Sequence, residues 1–350
     1  MNRSTYCNPK LYIDDIIINS SFSVQYSESM SSLSTLNITI NATHNEQFTD
    51  FFNKKVEFYI NIGGIDGAPI FRGLVKNFTI NENNIIINAI DIRTLLTGTN
   101  SIPVVIDKSN NYDGQTVMQF LIDIVDNKIN QPSLISSKYT NDTNKPVFMT
   151  GFRGIITSPY EIVQSEIQKH LDDDDMALVG EYFLDVLHGG ESSSVVINKL
   201  RQIDINNFDM SFSEYDGLIS YTHKDRPSPS FITATTENGE QVVVEYGNSP
   251  RGKFGIQAKG TYFSRGEAAE SILPHLLVSQ NTEKEITIKV SKGFYLTIGN
   301  IIRIESKDDK LRGQYRITSK NINLSNNDIT CDFQLNKKPE KLSNFLNNLN

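Results

Sequence analysis

The residues of this chain that could carry chemistry are few and scattered. The loudest local feature is the run Asp172-Asp173-Asp174-Asp175. Clustered carboxylates suit a hard divalent cation, so these four are the candidate metal ligands. Adjacent residues on one segment rarely all aim at one ion, however, and Asp is favourable in the first turn of a helix. The run therefore reads as the acidic start of a helix, and no metal is expected. The five histidines (His44, His170, His188, His223, His275) show no ligand spacing. Cys7 and Cys331 lie near opposite ends and form neither a metal motif nor a disulfide framework. Two free thiols are expected. The chain has no G-x-S-x-G elbow, no H-E-x-x-H, no Walker loop and no G-x-G-x-x-G turn. A glycosidase pair of carboxylates has no fixed spacing and so leaves no mark in a sequence. The expectation is a protein that is not an enzyme and holds no cofactor.

Composition narrows the field further. At 350 residues the chain is too long for one ordinary core, so two or three domains are expected. Hydrophobic residues make up 38% and charged residues 21%, normal for a folded soluble protein. The formal net charge is −8 and no Lys/Arg block occurs, which argues against a phosphate-gripping nucleic-acid binder. No run approaches the roughly 20 apolar residues of a membrane helix. Ile16-Ile17-Ile18 is far too short for a secretory core. Membrane insertion is not expected. Asn-x-Ser/Thr triplets at Asn37, Asn77 and Asn323 are of the kind an Asn-rich chain produces by chance.

The elements that must position any site are mostly strands. Phe22, Val24 and Tyr26 alternate with polar residues, as do Leu36, Ile38 and Ile40, then Val56 to Ile62, Phe71 to Ile80 and Ile85 to Ala89. Period two with polar turns marks antiparallel strands with one buried face. The middle changes period. Val117, Phe120, Leu121, Ile124 and Val125 predict a helix over 115–129, with Asp113 as N-cap. Residues 130–158 read as a loop excursion. Further helices are predicted over 160–171, over 175–187 with Gly189-Gly190 as its C-terminal stop, and over 195–202. Strands return at Phe208 to Phe212, and Asp216-Gly217 predicts a hairpin into Leu218–His223. Short strands are expected over 231–263. Ser264 and Glu267 form a capping box for a helix over 265–278, kinked by Pro274. Alternation resumes from Ile286 to Leu335.

Two stretches of this pattern resemble each other. Val56–Ile90 and Asn300–Leu335 each run through an alternating strand, an acidic turn, an Arg-Gly pair, a longer strand, an Asn-Asn turn and a closing strand. Arg72-Gly73 corresponds to Arg312-Gly313, and Asn83-Asn84 to Asn326-Asn327. A repeat can decide an architecture, and a glycine at that place fits a bulge or a close backbone approach. The expected fold class is α+β, mainly β: two similar antiparallel, tail-tube-like β-barrel domains with a helical middle segment. The expected domains are 1–105 (first barrel), 106–205 (helical or mixed middle), 206–263 (β-hairpin segment packing on the barrels), 264–338 (helix plus second barrel) and 339–350 (flexible tail).

The order of landmarks resembles the central baseplate hub proteins of tailed phages and the related spike base of type VI secretion systems. The landmarks are Phe71-Arg72-Gly73-Leu74-Val75, and an apolar strand leading through Asp91 to Leu95-Leu96. Asp113-Gly114-Gln115-Thr116-Val117 follows, then Leu296-Thr297-Ile298-Gly299-Asn300-Ile301-Ile302-Arg303-Ile304, and finally Gly313-Gln314-Tyr315-Arg316-Ile317. The resemblance implies a homotrimer in which two barrels per chain make a ring of six. Such a ring matches a sixfold tail tube on one side and a threefold spike on the other. It implies partners in the tail tube or a distal tail ring protein, the spike or tip protein and the tape-measure protein. DNA would pass through the ring without specific binding, and an acidic lumen would let it slide. The implied location is the virion tail baseplate, after assembly in the host bacterial cytoplasm. Two other classes stay open on residues alone: a receptor- or glycan-binding tail protein, against which the absence of Trp counts, and a peptidoglycan hydrolase, for which the chain has little spare length.

Overall fold

The computed structural model describes residues 7–30, 32–41, 50–62, 67–97, 104–106, 115–127, 135–136, 154–156, 158–169, 182–189, 192–199, 206–225, 231–245, 255–262, 264–266, 284–309, 311–325 and 328–336. Among these, strands dominate, as the period-two patterns require. The first unit comprises β1 (Cys7–Ile13), β2 (Ile16–Ile17), β3 (Phe22–Ser29), β4 (Ser32–Asn41), β5 (Lys55–Ile62), β6 (Phe71–Ile80) and β7 (Asn84–Asp91), closed by a 3-10 helix at Ile92–Leu96. β1 lies before the first anticipated strand. Its buried residues, Leu11 and Ile13, give only two beats of alternation behind Asn8-Pro9, too few to detect by pattern. It pairs with β5 from Cys7↔Ile62 to Ile13↔Val56.

The middle segment contains β8 (Val104–Ile106), α1 (Val117–Asn127), β9 (Ile135–Ser136), β10 (Gly154–Ile156), α2 (Pro159–Lys169), β11 (Tyr182–His188) and β12 (Ser193–Lys199). The helices predicted over 115–129 and 160–171 are present as α1 and α2. A reciprocal box starts α1. The Thr116 hydroxyl accepts the Gln119 N–H at 3.1 Å, and the Gln119 carbonyl oxygen accepts the Thr116 N–H at 2.9 Å. The expected cap, Asp113, lies outside the described residues. The helices predicted over 175–187 and 195–202 are corrected: residues 182–188 and 193–199 are an antiparallel hairpin, paired from Tyr182↔Lys199 to His188↔Ser193. The physical reason is double coverage. Phe183 is buried in one core and its neighbour Leu184 in the other. A strand with both faces covered reads as a continuous apolar run, which periodicity alone does not separate from a helix. Gly189 accordingly serves a tight turn, its N–H bonded to the Ser192 carbonyl at 3.3 Å, and not a helix cap. The loop expected over 130–158 includes the short strands β9 and β10.

The last part holds β13 (Met210–Ser213), β14 (Leu218–Asp225), β15 (Phe231–Thr236), β16 (Gln241–Glu245), β17 (Gly255–Tyr262), β18 (Lys284–Val290), β19 (Ile301–Glu305), β20 (Gly313–Ser325) and β21 (Asp328–Asn336). Asp216-Gly217 does turn the chain, with Gly217 at φ 87. The hairpin expected there is corrected all the same. β13 pairs with β19 in parallel and β14 with β18 in antiparallel sense. β14 finds in β18 a partner of nearly its own length, which the four-residue β13 does not offer. β15, β16 and β17 form a sheet of their own. Most of the predicted helix over 265–278, with Glu267 and Pro274, the 339–350 tail, and the Asn326-Asn327 turn lie outside the described residues.

The two repeat stretches become the same motif, an antiparallel meander: β5–β6–β7 in the first unit and β19–β20–β21 in the second. They belong to one 13-stranded sheet, ordered β14-β18-β21-β20-β3-β4-β7-β6-β5-β1-β2, with β19 and β13 on a branch from β20. The join is β20 on β3, from Ser319↔Ser29 to Leu324↔Val24. This sheet curls as a half-barrel. One core runs under both units, from Leu36, Ile38 and Phe58 to Ile288, Tyr315 and Phe333. A second core lies between α1, α2, the 3-10 helix and the β11–β12 hairpin. Apolar burial on this scale, at about 25 cal/mol per Å², is the main force holding the units together.

Candidate functional site

The densest polar chemistry lies where the middle hairpin meets the sheet. β6 is buried on both faces from Phe71 to Val75, and Arg72 within that stretch is 1% exposed. It sits opposite Glu57 in the β5–β6 register, and its Nε donates to Glu57 Oε1 at 2.6 Å. Its Nη1 reaches the turn of the middle hairpin, donating to the Gly189 carbonyl at 3.0 Å and to Ser193 Oγ at 3.3 Å. Gly73 beside it leaves no room for a side chain: a Cβ there would lie 2.2 Å from the Ile90 carbonyl oxygen. It marks a close backbone approach, and the bulge of β6 falls further on, between Val75 and Asn77.

A second clamp starts at the end of β7. Asp91 caps the 3-10 helix, accepting the Arg93 N–H at 2.8 Å and also the Ser34 N–H. The Arg93 guanidinium returns to the same carboxylate at 2.7 Å, and its Nη1 donates to the Leu184 carbonyl of β11 at 2.7 Å. Burial works against the charge of Arg93, but the adjacent Asp91 carboxylate more than restores it, so its pKa lies above the ordinary value. Two arginines, each neutralised by a carboxylate of the sheet, thus grip backbone carbonyls five residues apart on the hairpin. Buried charges persist where they are paired and hydrogen-bonded.

A cavity of about 450 Å³ adjoins these clamps, with Tyr26, Glu28, Phe71, Asp185, His188 and Lys320 among its walls. Lys320, 2% exposed, comes from the second unit. It donates to the Leu296 carbonyl at 2.7 Å and lies 5.8 Å from the Tyr26 ring centroid. Burial, aided by the nearby Glu28 carboxylate, pushes Asp185 up to about 6. Burial pushes His188 down to about 4. His188 Nδ1 lies 2.9 Å from Ser193 Oγ, a pairing that in another setting would suggest a nucleophile. Ser193 is fully buried and already receives Arg72, which leaves its hydroxyl no path to a substrate. The arrangement holds a hairpin against a sheet.

Among the sequence-predicted positions, Arg72, Gly73 and Asp91 come together here. Arg312 and Gly313 do not. Arg312 lies on the surface, donating from Nε to the Ser306 carbonyl at 3.0 Å and pairing with Asp309 at 3.0 Å. Gly313 opens β20. Asp172, Asp173, Asp174 and Asp175 lie outside the described residues, and among those described no cluster of His, Cys, Asp or Glu could hold a metal. Cys331 is a free thiol, pushed up to about 12 by burial. Sequence reasoning missed Glu57, Arg93, Asp185 and Lys320. The available signal was a charged residue inside an alternating strand (Glu57, Lys320), or two residues beyond a strand-ending Asp (Arg93).

No family model matches the sequence, and no curated protein matches it. The fold itself is shared with solved structures. A tail protein from Neisseria meningitidis MC58 superposes with a TM-score of 0.67 at 8% identity, covering 97% of this chain and 99% of that one. The 43 kDa tail protein of prophage MuSo2 from Shewanella oneidensis gives 0.65 at 12% identity, over 95% and 97%. An Escherichia coli type VI secretion system component, described as structurally similar to the T4 bacteriophage tail proteins gp27 and gp5, gives 0.51 at 11% identity, over 95% and 79%. The chain has the fold of these tail proteins along nearly its whole length, and the resemblance stated from the sequence landmarks holds at the level of the fold.

Proposed function

We propose that this chain is a structural subunit of a phage tail baseplate hub, located in the virion after assembly in the host cytoplasm. The observation that carries the reading is the pair of matching meanders fused in one sheet, within a fold shared end to end with tail proteins. Three copies would supply six meander units. A closed cyclic trimer of this kind meets a sixfold tail tube or distal ring on one side and a threefold spike or tip on the other. Its centre is a conduit for DNA and the tape-measure protein. The first unit (1–105) and the second (264–338, completed by strands from 206–225) act as the two ring modules, and the 106–205 segment braces the first from outside. The role is mechanical, without catalysis, metal or cofactor. Mass measurement of the purified chain at micromolar concentration, and imaging of tail particles, test this together. A trimer or a threefold ring at the tail tip is expected. A monomer in solution with no ring in the particles overturns the reading.

A further inference from the structure

The cavity of about 450 Å³ beside the arginine clamps is walled by all three parts of the chain: Glu28 of β3, Asp185 and His188 of β11, and Phe294, Tyr295 and Lys320 from the second unit. Its charges do not balance. Arg93 and Asp91 neutralise each other at 2.7 Å. His188, lowered to about 4 by burial, is neutral at ordinary pH. That leaves the carboxylates of Glu28 and Asp185 against the single ammonium of Lys320. Register sets Lys320 of β20 directly opposite Glu28 of β3, the placement from which a cross-strand ion pair ordinarily forms. The pair is not made. The Lys320 ammonium, 2% exposed, turns instead to the Leu296 carbonyl at 2.7 Å and the Tyr26 ring at 5.8 Å. Glu28 keeps the Tyr26 hydroxyl. Asp185 keeps the Val186 N–H and the Asn198 amide, both at 2.8 Å. Among the described residues neither carboxylate has a lysine or arginine within ion-pairing distance. Burial, and then repulsion by Glu28, raises Asp185 to about 6.

We propose that this cavity binds an alkyl cation, an ammonium or guanidinium on an apolar stem, held by Glu28 and Asp185. One such charge cancels the excess carboxylate, whereas an anion would add to it. A hard metal ion wants six or more oxygens, and the walls are mostly apolar. Ile60, Phe71 and Phe294 are buried in them, and Leu187 and Tyr295 stand 44% and 60% exposed beside them. That is the setting in which a basic side chain lays its stem on apolar surface and places its head on a polar group. The same chemistry is carried by an arginine or lysine of a neighbouring protein and by a free diamine. The inference does not rest on the hub reading.

The test titrates the purified full-length chain at neutral pH with three probes, followed by calorimetry. Agmatine is a free alkylguanidinium, N-butylurea is a neutral molecule of similar shape, and acetyl-Gly-Arg-Gly-amide presents the guanidinium as a protein would. Agmatine is expected to bind saturably, one per chain, and N-butylurea not at all. Glu28→Gln and Asp185→Asn are each expected to weaken agmatine by at least about tenfold. Asp309→Asn, on the exposed rim, leaves the affinity unchanged. Agmatine affinity falls as pH drops through about 6, where Asp185 takes up its proton, and that fall is absent in Asp185→Asn. Binding of the tripeptide as well as agmatine supports the cation site with a neighbour's side chain as its source. Binding of agmatine alone supports it with a free diamine as the source. No saturable binding at millimolar agmatine, equal binding of N-butylurea, or an affinity untouched by both carboxylate variants overturns the proposal.

Discussion

The meanders β5–β6–β7 and β19–β20–β21 run the same course with the same Arg-Gly pair, yet the two arginines live in different worlds. The Arg72 side chain is 1% exposed and ties Glu57 to the middle hairpin, whereas that of Arg312 is 59% exposed and pairs with Asp309 on the rim. The difference lies in what covers the pair. β11–β12 closes over the first meander and turns a surface ion pair into a buried one. A repeated motif therefore repeats backbone topology, and the energetics of its side chains are set by the third element that covers it.

Truncation separates the two most sharply. Arg72→Ala leaves the buried Glu57 with only the Lys55 ammonium at 3.8 Å and removes a grip on the hairpin, so a loss of about 3 kcal/mol is expected. Arg312→Ala removes an exposed pair and is expected to change stability by no more than about 1 kcal/mol. Urea unfolding of the two variants beside the parent measures both. Equal losses would show that coverage by the hairpin is not what distinguishes the sites.

The glycines divide along the same line, with smaller effects. Gly73→Ala drives a methyl into the Ile90 carbonyl, and a buried clash that backbone must relieve is expected to cost about 2–3 kcal/mol. At Gly313 the nearest atoms lie 3.6 Å away, on the Tyr315 ring. The penalty there is conformational, for a φ of 153°, about 1 kcal/mol. Thermal midpoints falling in the opposite order would break the comparison.

The strands β3, β4 and β7 were legible because one side of each faces outward and the other a core. Val24, Tyr26, Leu36 and Ile38 alternate since the sheet is covered on one face only. The hairpin that makes the difference between the meanders was not legible, because Phe183 and Leu184 enter separate cores and erase the period. Asp91 stood out as a landmark, and its cap on the 3-10 helix explains why a carboxylate ends that strand. Arg93 and Lys320 were invisible as site residues because their partners are backbone carbonyls of Leu184 and Leu296, more than twenty residues away in one case and ninety in the other.

The subtlest contrast is in pH. Beside Arg72 and Arg93 sit two groups with opposite shifts. Asp185, raised to about 6, binds its proton more tightly folded than unfolded. Its contribution to stability is present at low pH and is lost as pH rises from about 4 through 6. His188, lowered to about 4, takes up a proton more readily unfolded. Its contribution is lost as pH falls from about 6.5 through 4, and is regained as pH rises. The windows overlap and the signs oppose, so the parent protein is expected to change by less than about 1 kcal/mol between pH 4 and 6.5 from these two groups. Removing either unmasks the other. In His188→Gln, stability measured relative to the parent falls with rising pH across the window. In Asp185→Asn it rises, by about 1–2 kcal/mol in each case after allowing for partial exposure. The same scan on Arg312→Ala should follow the parent, since that site holds no such pair. Parallel profiles for all three variants would place the titration outside the covered meander and remove the last distinction between the two.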